Sequence, residues 1–427
     1  MIINKMQINI YLAILYINKI VKYFFGKSNS SLKFHVFENK VHPETYKKHS
    51  KISSWAEEKW NCINISEHED KFLQSDNLLV KQGFQLRKET LKYFKNLYCN
   101  RSDLRIIIHS PSRNQSIAGN SLFNNLADGL KYLGITTKIF YSGENVKEIF
   151  NSFSPTLFLT SDNDIYKNSI DWDFLCHYKL TSSLKIGLTA SIEEYGNSSL
   201  LKRLTWAKHN LVDFYYSFRA QEYIHARQEY SPFFNEGYKI YTIEFGANPL
   251  YYYPVPNIVK DINYSFFASK NPDKHERYFK YLSNILTKYP GFIDGPGWSH
   301  NKNYIINRNL HRYIYSRSKI GINLHISDSI NWASELNERT YILAMCGVPQ
   351  LIDNPKLLSK RFSESSIFAC ETPDEYEAKF DYLINNYETA EKTALLALNE
   401  VFAKHTSFHR AEDLIIACSD IFDRPDI

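Results

Sequence analysis

Two series of short apolar runs, each alternating with helix-spaced segments, constrain the fold of this chain more than any other feature. The run "LRIIIHSPS" (104–112) stops at Ser and Pro, as a buried parallel strand does. It leads into "SLFNNLADGLKYLG", where Leu122, Leu126 and Leu130 recur at helical spacing and Gly134 closes the segment. "TTKIFYSG", "NVKEIFNSF", "PTLFLTSD", "LKIGLTAS", "SLLKRLTWAKHN" and "VDFYYSF" continue the alternation. The pattern pauses at the Gly-, Pro- and Asn-rich "IEFGANPLYYYPVPN" (243–257) and then resumes. The second series is "INYSFFAS", the helical "HERYFKYLSNILTKY", "GFIDGPGW", "NLHRYIYSRS", "KIGINLHI", the stretch 334–355 and "VPQLID". Strands alternating with helices specify βαβ units and parallel sheets. Two such series predict an α/β chain with two Rossmann-like domains, a first over 101–250 and a second over 251–427, facing each other across a cleft.

A chain of 427 residues exceeds one ordinary core, which agrees with two domains. The hydrophobic fraction of 44% and charged fraction of 23% are those of a globular protein. A net charge of +5 is spread without a Lys/Arg block, so nucleic acid is not an expected partner. Cys62, Cys99, Cys176, Cys346, Cys370 and Cys418 are scattered and form no Cys-x-x-Cys pair. That argues against a zinc site or a disulfide framework and suits a reducing cytoplasm. Residues 31–100 read as a helical N-terminal extension. Residues 1–30, which begin "MIINKMQINIYLAILYINKIVKYFFGK", lack the uninterrupted run of about 18 apolar residues that a spanning helix needs. Either 1–27 lies on a membrane surface, with Lys19, Lys22 and Lys27 at the headgroups, or it packs on the protein body.

Candidate chemistry concentrates at strand ends. In the first half, Gly119 and Asn120 open the helix after the first run, beside His109 and Arg113. A helix start of this kind takes an anion or is a plain turn. In the second half Lys270 and Lys274 follow a strand and suit a phosphate, although a solvated helix entry reads the same way. Trp298 sits on a Gly/Pro loop, where an aromatic stacks on a base or simply packs. His325 ends the strand "KIGINLHIS", and its functional use needs a partner from the next stretch. That stretch, "SELNERTYILAMCGVPQLIDNP" (334–355), gathers Glu335, Asn337, Glu338, Arg339 and Thr340 at a helix start. The helix dipole favours the glutamates there but not the arginine, which points to an anionic partner for Arg339.

These residues carry a resemblance. "GINLH", "ELNERTY", "CGVPQLIDNP", the upstream "GPGW", "FGANP" and the C-terminal "HTSFHRAEDLI" resemble the GT-B glycosyltransferases of the "glycosyl transferases family 1" group, including its spore-maturation-type members. The resemblance spans roughly 240–420. Over 104–240 it rests on βαβ order and the "IAGNS" turn, and it does not reach 1–100. It implies a nucleotide-sugar donor held by the second domain, an acceptor on the first, no resident cofactor or metal, and retained anomeric configuration. By that resemblance Arg339 and Lys274 hold the diphosphate with Lys270 as a weaker candidate. Glu335, Asn337, Glu338, Thr340, His325 and Gly347 surround the donor, and Trp298 its base. Gly119 and Asn120 face the donor from the first domain, and His109 and Arg113 line the acceptor side. Glu335, with Arg339 and Lys274, forms the catalytic set.

The chain also departs from that group. Ile342 stands where a ribose-binding glutamate is usual, Ser334 where the first glutamate of the pair falls, and Ser269 in place of a loop arginine. Glu338, one turn before Ile342, is placed to take over the ribose. The expected activity is transfer of a sugar to a glycan, lipid-linked or protein acceptor, in the cytoplasm or at the inner face of the membrane. The alternative is a catalytically silent scaffold in a glycan assembly complex. A sugar-nucleotide epimerase on the same architecture fits the C-terminal pattern less well.

Overall fold

The computed structural model describes residues 38–47, 69–161, 170–190, 200–271, 274–298 and 307–422. The expected helix over 1–30 lies outside these residues. Every apolar run of the first series becomes a strand. These are β1 (Arg105–Ser110), β2 (Thr136–Tyr141), β3 (Leu157–Thr160), β4 (Lys185–Thr189) and β5 (Phe214–Ser217). β6 (Ile240–Thr242) joins them as an edge strand at the border of the segment read as linker. All pair in parallel, in the order β2-β1-β3-β4-β5-β6. The second series gives β7 (Ile262–Phe267), β8 (Phe292–Asp294), β9 (Ser318–Asn323), β10 (Gln350–Ile352) and β11 (Phe368–Ala369), also parallel, in the order β11-β10-β9-β7-β8. The two parallel sheets and their helices make two Rossmann-like α/β domains.

Burial explains why these runs pair. Ile106, Ile107 and Ile108 of β1 are wholly buried, with side chains on both faces of the sheet. Each such side chain contributes roughly 1.5–3 kcal/mol.

The longer helices frame the site. The helices α1 (Leu78–Phe94), α2 (Ile117–Tyr132), α3 (Val146–Phe153), α4 (Trp172–Leu180) and α5 (Leu200–Lys208) precede or serve the first sheet. The helices α6 (His275–Lys288), α7 (Arg308–Arg317), α8 (Glu338–Met345), α9 (Pro373–Asn385), α10 (Tyr387–Lys404) and α11 (Ser407–Phe422) come after the linker.

Two of these helices depart from a simple division at residue 250. α11 returns to the first domain, where Phe408, Leu414, Ile415 and Cys418 join Ile106, Ile108, Leu126 and Leu130 in one core. Gly129 permits that return, since a Cβ there would stand 2.7 Å from the Ser407 carbonyl oxygen. The expected single unit over 251–427 is therefore corrected: its last helix packs on α2 and the β6 edge of the first domain, where its apolar side joins that core. α1 bridges in the opposite sense. Leu79 packs with Leu398 in the second domain, while Phe94 packs against Phe408 on the first. The segment 38–47 belongs to the second domain, with Val41 in its core and the His42 N–H donating to the Leu286 carbonyl at 2.8 Å.

No helix among the described residues is long and apolar enough to cross a membrane. The described cysteines Cys99, Cys176, Cys346, Cys370 and Cys418 form no disulfide, and Cys62 lies outside the described residues.

Candidate active site

In both sheets the strand order reverses next to the first strand, between β1 and β3 in one and between β7 and β9 in the other. Such switch points are where open parallel sheets take ligands, at the carboxyl ends of the strands. In the second domain this places Ala268–Lys270, Leu324 and His325 opposite the start of α8.

α8 begins at Glu338. Its N-cap is Asn337, whose Oδ1 accepts from the Thr340 N–H at 3.1 Å. The amides of Glu338 and Arg339 are left without a hydrogen-bond partner among the described residues. Arg339 Nη1 donates to Asn323 Oδ1 at 3.3 Å, and its guanidinium lies over the Phe266 ring at 5.4 Å. Lys274 stands at the start of α6, as its N-cap. Burial, and then the neighbouring Arg339 guanidinium, pull its ammonium down to about 8. Neither Arg339 nor Lys274 pairs with a carboxylate among the described residues. Two cations thus stand close enough to repel each other, beside open amides at a helix N-terminus. That is a site for an anion carrying more than one charge.

A buried polar network fixes this site from behind. The Asp353 carboxylate accepts from the His325 N–H at 2.9 Å and faces His325 Nδ1 at 2.9 Å, and it forms an ion pair with Arg277 at 2.5 Å. His325 Nε2 accepts from the Asn337 N–H at 3.2 Å. Asn323 accepts from Asn337 Nδ2 at 2.8 Å and donates to Thr340 Oγ1 at 2.9 Å. Burial holds the His325 imidazole below its ordinary value, so it is neutral.

Other expected residues are placed differently. Asn337 and Thr340 spend their polar atoms on the cap and on Asn323, so they shape α8 and do not present free groups to hydroxyls. Glu335 precedes α8 and pairs across the cleft with Arg219, which follows β5, at 2.6 Å. Glu338 also reaches the first domain. Ser121 Oγ donates to it at 3.0 Å and Asn125 Nδ2 donates as well. Burial raises the Glu338 carboxyl above its usual range. Lys270 Nζ pairs with the buried carboxylate of Glu38 at 2.6 Å. Trp298 is 2% exposed, donates its indole N–H to the Ala268 carbonyl at 2.7 Å and packs with Phe266 and Tyr278, so the expectation of base stacking is corrected. Gly347 lies at the far end of α8 with φ +63°, a left-handed turn packed on Pro254, away from the anion site. Ile342 belongs to the second-domain core.

On the first domain, the Gly119 N–H is capped by Ser116 Oγ at 3.1 Å, and Asn120 Nδ2 donates to the Pro111 carbonyl at 3.0 Å. His109 does not line the cleft. Its ring packs against Phe140 and Phe158 beneath the sheet end, Nδ1 lies 3.0 Å from Thr160 Oγ1, and burial lowers it to about 3. Arg113 and Asn120 do line a cavity of about 380 Å³ beside the hinge, with Asp128, Tyr251 and Arg308.

Sequence reading missed Asp353, Arg277, Arg219, Ser121 and Asn125. Signals were present for some. Arg277 follows Lys274 by one helical turn, and Ser121 and Asn125 share a face of α2. Among the described residues no group of three or more His, Cys, Asp or Glu is gathered in a metal-binding cluster.

Residues 276–416 match a family model described as glycosyl transferase-like. No curated protein matches the chain in sequence. Among solved structures, the chain is similar to a glycosyltransferase from Rickettsia africae ESF-5, at 13% identity and TM-score 0.49, covering 75% of this chain and 99% of that one. The T4 phage BGT in complex with its UDP-glucose substrate is similar at 11% identity and TM-score 0.48, over 75% of this chain and 100% of that one. Sucrose-phosphate synthase from Thermosynechococcus elongatus is similar at 10% identity and TM-score 0.47, over 75% and 99%.

Proposed function

We propose that this chain is a glycosyltransferase that takes its sugar from a nucleotide-sugar donor and seats the donor's diphosphate against Arg339, Lys274 and the first amides of α8. The observation that carries the reading is this pair of cations, without a carboxylate partner among the described residues, at the switch point of the second sheet. The glycosyl transferase-like match over 276–416 supports it, because that stretch contains Arg339 and, with Lys274 just before it, frames the site.

Chemically, charge builds on the diphosphate as the bond to the sugar breaks. Donors already aimed at those oxygens stabilise that charge more than they stabilise the ground state. Arg277 and Asp353 hold the wall behind. Retention of anomeric configuration and independence of a metal ion belong to the same proposal. The anomer of the product, read by proton NMR, and the rate in the presence of a chelator test them.

The donor site itself is tested by thermal-shift titration with UDP, GDP, dTDP and CMP and their sugars. A ligand bound only by the folded form raises Tm. A shift with one nucleotide is expected, weakened roughly 10- to 150-fold in affinity by Arg339→Ala, since a charge-assisted hydrogen bond contributes about 1.5–3 kcal/mol. No shift with any of them counts against the reading.

One observation favours the silent-scaffold alternative. Ile342 is in the core, and the Glu338 carboxylate is taken up by Ser121 and Asn125 rather than open to a ribose. Nucleotide binding without turnover of any donor would support it.

A further inference from the structure

We propose that Arg219, on the first domain, is a positioning residue of the donor site: it touches no part of the donor and acts by neutralising Glu335, a carboxylate that would otherwise stand bare beside the bound diphosphate. This rests on the donor reading, because the compensation matters only where an anion is seated.

The pair is set by both backbones. Arg219 follows β5, and Glu335 lies just ahead of α8. The Ala220 N–H donates to the Ser334 carbonyl at 2.8 Å, so the neighbours of the two residues are themselves hydrogen-bonded across the cleft. The Arg219 N–H donates to Ser217 Oγ at 3.1 Å, which fixes the turn after β5. Arg219 Nη1 then stands 2.6 Å from Glu335 Oε2, and the two side chains are only 11% and 16% exposed. No other cation among the described residues lies within ion-pair distance of Glu335.

Glu335 is also in the field of the proposed phosphate ligands. Burial and the Arg339 guanidinium pull the Lys274 ammonium down, and the Glu335 carboxylate draws it back up. A carboxylate that acts on Lys274 acts equally on an anion seated there, with the opposite sign. Water screens such a charge poorly in so enclosed a place, so a bare carboxylate would repel the diphosphate. Arg219 turns it into a neutral pair and leaves the field of Lys274 and Arg339 to the anion. The compensating charge comes from the other domain, so it is present only while the two backbones meet as they do here. An ordinary bridge between domains behaves differently. Removing either partner would then break the same contact, and removing the second would restore nothing.

The test is a double-mutant cycle on the full-length protein, read by calorimetric titration with whichever of UDP, GDP and dTDP raises its Tm, and with circular dichroism to confirm that each variant is folded. Arg219→Ala is expected to lower affinity about tenfold or more, the effect of one uncompensated charge within about 10 Å at an effective dielectric of about 20. Glu335→Gln added to Arg219→Ala should restore affinity to within about threefold of the wild type. Arg219→Lys, which keeps the charge, should keep most of the affinity, and Glu335→Gln alone should not lower it. Undiminished affinity in Arg219→Ala overturns the proposal. So does a loss that Glu335→Gln fails to restore, which would make Arg219 a direct ligand or a plain domain contact. If Arg219→Ala does not fold, the near-isosteric Glu335→Gln decides by its sign, and a fall in affinity overturns the proposal. The nucleotide titration separates the two readings. A Tm shift in the wild type with a failed cycle removes the role of Arg219 alone, whereas the absence of any shift removes the donor site and this role with it.

Discussion

Two contacts fix the tautomer of His325. The Asn337 N–H is a donor, so Nε2 must carry the lone pair that receives it, and Nδ1 then carries the proton that faces Asp353. Asp353 thereby anchors a ring whose other edge seats the N-cap of α8. Asp353→Ala would leave the half-buried Arg277 guanidinium without its carboxylate, and the buried His325 Nδ1–H without an acceptor. A loss of about 3–5 kcal/mol in unfolding free energy is expected, measured by urea titration. Lys274 gives a pH prediction. Its ammonium is held at about 8, below its unfolded value, so its charge is present below about pH 8 and lost as pH rises through it. Nucleotide affinity should therefore fall between about pH 7 and about pH 9.5, by up to roughly tenfold, as one charge-assisted contact disappears. For stability the sign is opposite. The folded state binds fewer protons than the unfolded one above about pH 8, so the cost of burying this charge is relieved as pH rises. Lys274→Met should flatten the affinity profile, which calorimetry across that range would show.

At the scale of elements, α8 and the segment 38–47 are the pieces whose support is least local. Asn337→Ala removes the side-chain cap of α8 and should cost about 1 kcal/mol, with a further loss of nucleotide affinity because the first amides lose their alignment. Glu38 is buried, and its partner Lys270 sits in the loop between β7 and α6, so Glu38→Ala is expected to lower stability by about 3–5 kcal/mol in a denaturant melt. Strands β1 to β5 and β7 to β10 were legible because their apolar runs end in turn residues. So was a helix start within 335–340, from the apolar run after it, although not that Asn337 caps it. Arg339 stood out because the helix dipole does not favour it, but nothing local in the sequence set Lys274 beside it. The three-residue β6 was not, because it borders a stretch whose Gly and Pro read as linker. Trp298 and His109 misled for a shared reason. An aromatic or a histidine at a strand end reads as functional, and only the fold reveals that Phe266 and Tyr278, or Phe140 and Phe158, surround it. The pairing of Glu38 with Lys270, 232 residues apart, has no local signal at all.

The two domains are joined by more than the linker. Arg361 pairs with Glu222 at 2.8 Å and Glu244 at 2.6 Å, Glu335 with Arg219, and Glu338 with Ser121 and Asn125. Arg361→Met is expected to loosen this closure, seen as a larger radius of gyration in solution scattering and faster proteolysis near the hinge. An unchanged radius would mean that the remaining contacts suffice.

The return of α11 to the first sheet also orders events during synthesis. The first Rossmann-like domain is almost complete once residue 242 has been made, yet the side of α2 and the β6 edge that α11 packs on stay uncovered until residues 407–422 emerge. A ribosome must translate the whole second domain before the first can close, so a nascent chain leaves the side of α2 that receives α11 uncovered throughout that interval. The natural caretaker of such a face is a chaperone, and a stop codon that removes only the last helix would be read by the cell as a failure of the first domain.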